Sequence, residues 1–594
     1  MRRTATLALA LALLTLAPAC QHDPSAPPAP PVTTAQVTTA QVTTLTLTAA
    51  GELQAGELHG ANGLAMKDRD VLTVGSLFGR QIDEIDVHDG TLLTRLGPDK
   101  GVEGPGDLAY GPDGALYWTN FWTGRLQRRT ADGCCTGVDV GVGAGPLAVD
   151  RDGRVAVARR VLGEGLCVFE PDLAPVRREV ALPFTPGGLA FDPCGRLYAT
   201  SWHTGELFRV RLQDDPATFQ RVTDGFTNPA GIAFEPDGRL LLTDAGTGEL
   251  WRLAIPGAAV HDTELDAAKA LPTRHRLGVF EPGLSSVAPD PRGHVYVGNS
   301  QDGSVIKLYS YGTRRVIRAP GLILPGGLTL CPNGAKQDEP LWVADAWTLR
   351  AFRRDTGECC AVHRCDLSPD GLTAPMTVAM DGERLVVSSW LGRVQVVDPL
   401  TCAITEDYRF LPVDDVPVNA IRYHGDVVVA GLRSGTVFRA SDREVLAHGL
   451  GYPSGLAAND GDLWVADRAK GTVQRVARDG VALPEPELVA AGLDAPEGLA
   501  VLHDAALLVV ETGAGRVSRI DLMNGDVSVL AEGLALGLEG PPGQPASWQF
   551  NGLTYAPDAH TVYVASDVAN RVYTIELASD HGTLHLEDGI AREP

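Results

Sequence analysis

The chain has 594 residues, with 67 glycines, 41 prolines and only 5 methionines. That length exceeds one ordinary core, so two domains are expected, and the turn-rich composition favours many short strands over long helices. A formal charge of −24 excludes nucleic acid or an anionic lipid face as the main partner.

At the N-terminus, Arg2 and Arg3 precede the apolar run Leu7 to Leu16, which is too short to span a bilayer. Ala17-Pro18-Ala19 then leads to Cys20, so residues 1–19 read as an export signal. Cys20 sits where bacterial lipoprotein signals place the lipidated cysteine, although Ala17 stands where those signals prefer leucine. The expectation is an envelope lipoprotein, in the outer membrane if the source is Gram-negative, touching the membrane only through its lipid. The alternative is cleavage after Ala19 and release of a soluble protein. Residues 20–50 read as the lipidated cysteine and a tether: "DPSAPPAPP" is Pro/Ala-rich and "TTAQVTTAQVTT" has nothing large to bury. The last piece, "LTLTAAG", alternates as a strand that could close a ring. Export permits disulfides. The vicinal pairs Cys134-Cys135 and Cys359-Cys360 sit in near-matching turns that could be stapled to neighbouring loops.

From residue 60 onward one pattern recurs. Two clear copies are "PGGLAFDPCGRLYATSWHTGELFRV" from Pro186 and "PAGIAFEPDGRLLLTDAGTGELWRL" from Pro229. The apolar run is a strand buried on both faces, the Asp/Gly turn reverses the chain, and a second and a third strand follow. A weaker polar segment closes each unit. Unit starts fall near Asn62, Pro105, Gly145, Pro186, Pro229, Pro282, Pro325, Pro375, Pro417, Pro453, Pro496 and Asn551, roughly 40 residues apart, the usual size of a propeller blade. Twelve blades in one ring would leave an unfilled hole. The expected fold is therefore all-β, two tandem six-bladed propellers of four-stranded blades, over 51–322 and 323–594.

The units resemble NHL-type blades and, more closely, the SMP-30/gluconolactonase-like superfamily of six-bladed propellers. The residues behind this are "ANGLAMKDRDVLTVGSLFGRQIDEIDVHDG" at Ala61, "VEGPGDLAYGPDGALYWTN" at Val102 and "FNGLTYAPDAHTVYVAS" at Phe550. The resemblance implies one divalent cation in a channel, calcium rather than zinc, held by a Glu and several Asn/Asp residues, one per blade. Such a metal polarises a lactone or ester carbonyl. The implied ligand slot lies just before each inner strand, and there Glu497 and Asn551 form the best pair, on adjacent blades of the second propeller. Asn62 matches in the first propeller but lacks an obvious partner, and Glu103 and Asp107 lie beside a slot held by Gly106. Most other slots carry glycine, which suggests an open or degenerate channel. His203 could serve as a general base at a channel mouth, or simply pack beside Trp202.

The second strands end in Asn120, Asp244, Asn299, Asp345, Asp467, Glu511 and Asp567, which read as turn caps. No G-x-S-x-G elbow, HExxH, Walker loop or dinucleotide fingerprint occurs, so no nucleotide cofactor is expected. The incomplete ligand ring, the anchor and the duplicated scaffold favour a binding protein, whose partner is a protein, a glycan or a small ester or lactone. The alternatives are a metal-dependent hydrolase of lactones or esters in the second channel and, more weakly, a metal-dependent lyase of a cyclic ester.

Overall fold

A computed structural model describes residues 41–45, 58–160, 165–173, 178–256, 272–330, 340–365, 368, 370–410, 415–503, 505–541 and 550–577. Apart from one short 3-10 turn at Pro98–Lys100, every regular element described is a strand, and the strands form twelve four-stranded antiparallel sheets. The fourth blade shows why. Pro186–Phe191 and Leu197–Ser201 are mostly buried apolar runs, whereas Thr218–Thr223 is largely half-exposed. Between the first two, Asp192 accepts the backbone N–H groups of Cys194 and Arg196 at 2.9 Å, and Gly195 takes φ +77°. A short polar side chain and a glycine are what a left-handed turn asks for.

Six inner strands, Gly63–Met66, Pro105–Tyr110, Ala144–Val149, Pro186–Phe191, Pro229–Phe234 and Leu284–Pro289, lie side by side, and the last returns to the first. A second ring runs through Pro325–Thr329, Pro375–Asp381, Pro417–Tyr423, Pro453–Ala458, Pro496–His503 and Leu553–Ala556, again closing on itself. The protein is two six-bladed propellers in tandem.

The rings close differently. All six blades of the first are contiguous in the chain, while the last blade of the second takes its outer strand from Gln41–Leu45. That strand pairs antiparallel with Arg571–Glu576, Gln41 opposite Glu576 and Leu45 opposite Val572. The stretch read as tether therefore contributes a strand, and it is 41–45 rather than the expected 45–51. Two threonines and a valine in "QVTTL" suit an edge position in a sheet. The export signal, Cys20 and the rest of the tether lie outside the described residues. The vicinal cysteines are not stapled: Cys134, Cys135, Cys359 and Cys360 are free thiols.

The propellers meet face to face. Leu77, Phe78 and Trp122 from strand-connecting turns of the first ring join Ile323, Leu324, Met376, Trp390, Val418 and Phe550 of the second in one buried apolar cluster. Phe78 lies 5.7 Å from Trp347 between ring centroids, and Trp122 lies 5.9 Å from Trp390. Polar contacts surround it: Arg80 donates to the Gly540 carbonyl oxygen at 2.6 Å, and Arg350 to that of Gln301 at 2.6 Å. Burial pulls the His59 imidazole down to about 4, so it is neutral at pH 7, and its Nε2–H donates to the Asp567 carbonyl oxygen at 2.8 Å. The faces pressed together are those at which the inner strands begin, so the expected ligand slots lie beneath this seam.

Candidate functional site

Each channel wall is made of inner strands that touch backbone to backbone. A Cβ on Gly187 would overlap the Pro229 carbonyl oxygen, and one on Gly455 would overlap that of Glu497. The glycine at the Gly187 slot is thus required by the close approach of the neighbouring blade.

In the second propeller the structure brings the expected pair together. Glu497 is 2% exposed and Asn551 fully buried. One carboxylate oxygen of Glu497 accepts the Asn551 backbone N–H at 2.9 Å and its side-chain amide at 3.1 Å. The other accepts Nε of Arg468 at 2.9 Å. Asn551 turns its side-chain oxygen to the Asp567 backbone N–H at 3.4 Å. Asp567 in turn accepts the backbone N–H groups of Gly537 and Leu538, each at 2.9 Å. Burial, reinforced by the nearby charge of Glu497, pushes the Asp567 carboxyl up to about 7.

A hard divalent cation wants several oxygens converging on one point. Here the best-placed carboxylate already faces a guanidinium, and Asn551 presents N–H rather than oxygen to it. Among the described residues no group of three or more His, Cys, Asp or Glu gathers for a metal. These side chains do not fit a calcium site as they stand.

Asn62 and Asp107 belong to the other propeller, where both line a cavity of about 470 Å³. The Asn62 backbone carbonyl accepts the Ser286 hydroxyl. Asp107 accepts the backbone N–H groups of Leu108 and Leu147, both at 2.9 Å, and burial lifts its carboxyl to about 7 against the pull of those bonds and of Arg160. Glu103 is half-buried outside the cavity lining, with its backbone N–H donating to Asn120 at 2.8 Å. His203 is exposed on a turn and does not line the channel, so it is not placed as a base there.

The turn-cap reading of the second-strand endings holds. Asp244 accepts the N–H groups of Thr227 (2.7 Å) and Asn228 (3.0 Å), and Asp345 those of Ile323 (3.0 Å) and Leu324 (2.7 Å). Asp467 does the same for Gly451 and Tyr452, at 2.8 and 2.9 Å. Each carboxylate pins the loop that enters its own blade.

In several blades the residue after the second-strand ending reaches the channel mouth. In the first propeller this position supplies Phe121, Arg160, Trp202 and Ser300 to the cavity lining. In the second it supplies Trp390 to the seam and Arg468 to Glu497. Reading the slot before the inner strand missed both arginines. A signal was present: blade three ends its second strand at Arg159, followed by Arg160, where other blades end in Asn120, Asp244, Asn299, Asp345 or Asp467.

No protein-family model matches the chain, and no curated protein matches it. Among solved structures it is similar to a streptogramin B lyase, at 11% identity and TM-score 0.34 over 52% of this chain and 94% of that one. It is also similar to virginiamycin B lyase from Staphylococcus aureus, at 13% identity and TM-score 0.34 over 52% of this chain and 96% of that one. A catalytically inactive form of that enzyme with quinupristin matches at 15% identity, TM-score 0.34 and the same coverages. Likeness of this degree carries no argument about chemistry. The propeller fold rests on the twelve sheets and their two closed rings.

Proposed function

We propose that the protein is an exported, lipid-anchored binding scaffold, of SMP-30/gluconolactonase-like descent, whose second channel is not a metal-dependent hydrolase site. The observation that carries this reading is the Arg468–Glu497 pair: the carboxylate best placed to hold a cation already has a fixed positive partner. Access argues the same way. The end of the second channel at which its inner strands begin faces the seam and is covered by the first propeller. Such a protein presents its free outer faces to a protein or glycan partner, at the distance its tether allows.

The test is the metal content of residues 41–594 after dialysis, read together with turnover of a lactone and ester panel. The expected result is no stoichiometric metal and no turnover. About one calcium per chain, lost in Glu497→Gln, would overturn the scaffold reading and restore the hydrolase. Anchoring rests on the position of Cys20 after a short apolar run. Cys20→Ser is expected to shift the protein from the membrane to the soluble fraction, and unchanged membrane retention would remove the anchor from the proposal.

A further inference from the structure

One imidazole joins the two propellers. His59 lies just before the first inner strand, Gly63–Met66, and is 8% exposed. Its Nε2–H crosses the seam to the Asp567 carbonyl oxygen at 2.8 Å, and its own carbonyl oxygen accepts the Phe78 backbone N–H at 3.4 Å. The residue is therefore tied on one side to the last blade of the second propeller. On the other it is tied to the turn that carries Phe78 into the apolar cluster. The second ring nitrogen, Nδ1, is buried with no hydrogen-bond partner. A neutral ring tolerates this, because only one of its nitrogens bears a proton. A protonated ring has two N–H donors and a full charge, and both must then be matched inside the seam.

The charged groups around the ring do not supply that match. Arg95 adds like charge, its guanidinium held by Asp83 through two bonds of 2.8 Å. Arg80, two residues beyond Phe78, uses Nη1 on the carbonyl oxygens of Glu539 and Gly540. The Asp567 carboxyl accepts the backbone N–H groups of Gly537 and Leu538, and the ring meets only the Asp567 backbone oxygen. Burial draws the imidazole down to about 4, outweighing the Asp567 and Val568 backbone carbonyls, which favour the charged ring.

We propose that the seam is an acid-operated joint: a proton taken up on His59 Nδ1 loosens one propeller from the other and uncovers the faces at which their inner strands begin. Once the propellers part, the ring regains its ordinary value of 6.5. The contribution of His59 to the closed joint is thus whole above pH 6.5 and is lost as pH falls toward 4. The buried carboxyls at the seam act the other way. Burial raises Asp302 and Asp345 from the ordinary carboxylate value and lifts Asp567 to about 7. Acid neutralises these three and steadies the closed form, so of the four groups only His59 weakens it between pH 6.5 and 4. The joint is independent of what the channels bind and of the metal test.

The experiment is scanning calorimetry of the full folded chain at pH 7.5 and pH 4.5, with wild type beside His59→Gln, whose amide N–H keeps a donor for the Asp567 carbonyl. At pH 7.5 each chain is expected to unfold in one transition. At pH 4.5 the wild type should divide into two transitions, its docking equilibrium weakened about 100-fold over the two pH units below 6.5. His59→Gln should keep one transition at both values. Should His59→Gln fail to fold, small-angle scattering of the wild type replaces it: the radius of gyration should stay constant from pH 9 to 6.5 and rise from 6.5 to 4. A single wild-type transition at both pH values, a division that His59→Gln shares, or a radius of gyration unchanged down to pH 4 would each overturn the proposal.

Discussion

Arg468→Ala is expected to destabilise the second propeller by about 3–5 kcal/mol, the cost of removing one partner from a buried ion pair. Glu497 is 2% exposed, and the guanidinium supplies its opposite charge at 2.9 Å. Arg468 also lies over the Tyr452 ring, so the substitution removes packing as well as charge. Denaturant unfolding, followed by probes in each propeller, measures the loss. The double variant Arg468→Met with Glu497→Gln should recover most of it, because a neutral pair of similar volume avoids the desolvation that burying charges incurs. A loss below about 1 kcal/mol for Arg468→Ala would put the pair in the class of solvent-screened surface bridges. It would also remove the main support for reading the second channel as already occupied by a protein cation.

Trp122→Ala should have an effect of similar size for a different reason. Trp122 is 4% exposed at the centre of the seam, with its ring 5.9 Å from both Phe78 and Trp390 and 4.9 Å from Phe121. Truncating a buried tryptophan costs about 3–5 kcal/mol through lost transfer energy and the cavity left behind. Because this ring bridges two propellers, the loss should appear as uncoupling. A single calorimetric transition in the wild type should divide into two in the variant, since domains with a large apolar interface unfold together and those without one do not. One transition, merely lowered, would mean that the polar contacts around the seam, such as Arg350 to Gln301, carry the coupling.

Legibility in the sequence varied from residue to residue for physical reasons. The twelve inner strands were readable because each must be apolar on both faces and is followed by a turn with fixed chemistry, such as Asp192 to Gly195. The turn caps were readable because Asp244, Asp345 and Asp467 act on loops within their own blades. Glu497 and Asn551 could be paired because a radial repeat brings the same slot of adjacent blades together. Arg468 could not be assigned to Glu497, since neither repeat position nor charge says which side chain bends toward which. The closing strand was placed a few residues late, because in "TTAQVTTLTLT" several registers offer the same alternation and only pairing with Arg571–Glu576 selects one.

By itself the sequence determined the fold class, the blade count and the turn chemistry, because these follow from local periodicity and from residues within one blade. Tertiary structure alone decided that the two propellers press their inner-strand-entry faces together, which covers the expected ligand slots and closes both channels at one shared seam. Phe78, Trp122, Trp347 and Trp390 are separate loop residues in the sequence, and they form one surface only after two rings have closed. The same closure turned Glu497 toward a guanidinium and gathered Arg160, Trp202 and Gln301, from three different blades, around one cavity. Such convergence depends on the angle of each blade around its axis, which no stretch of sequence encodes alone.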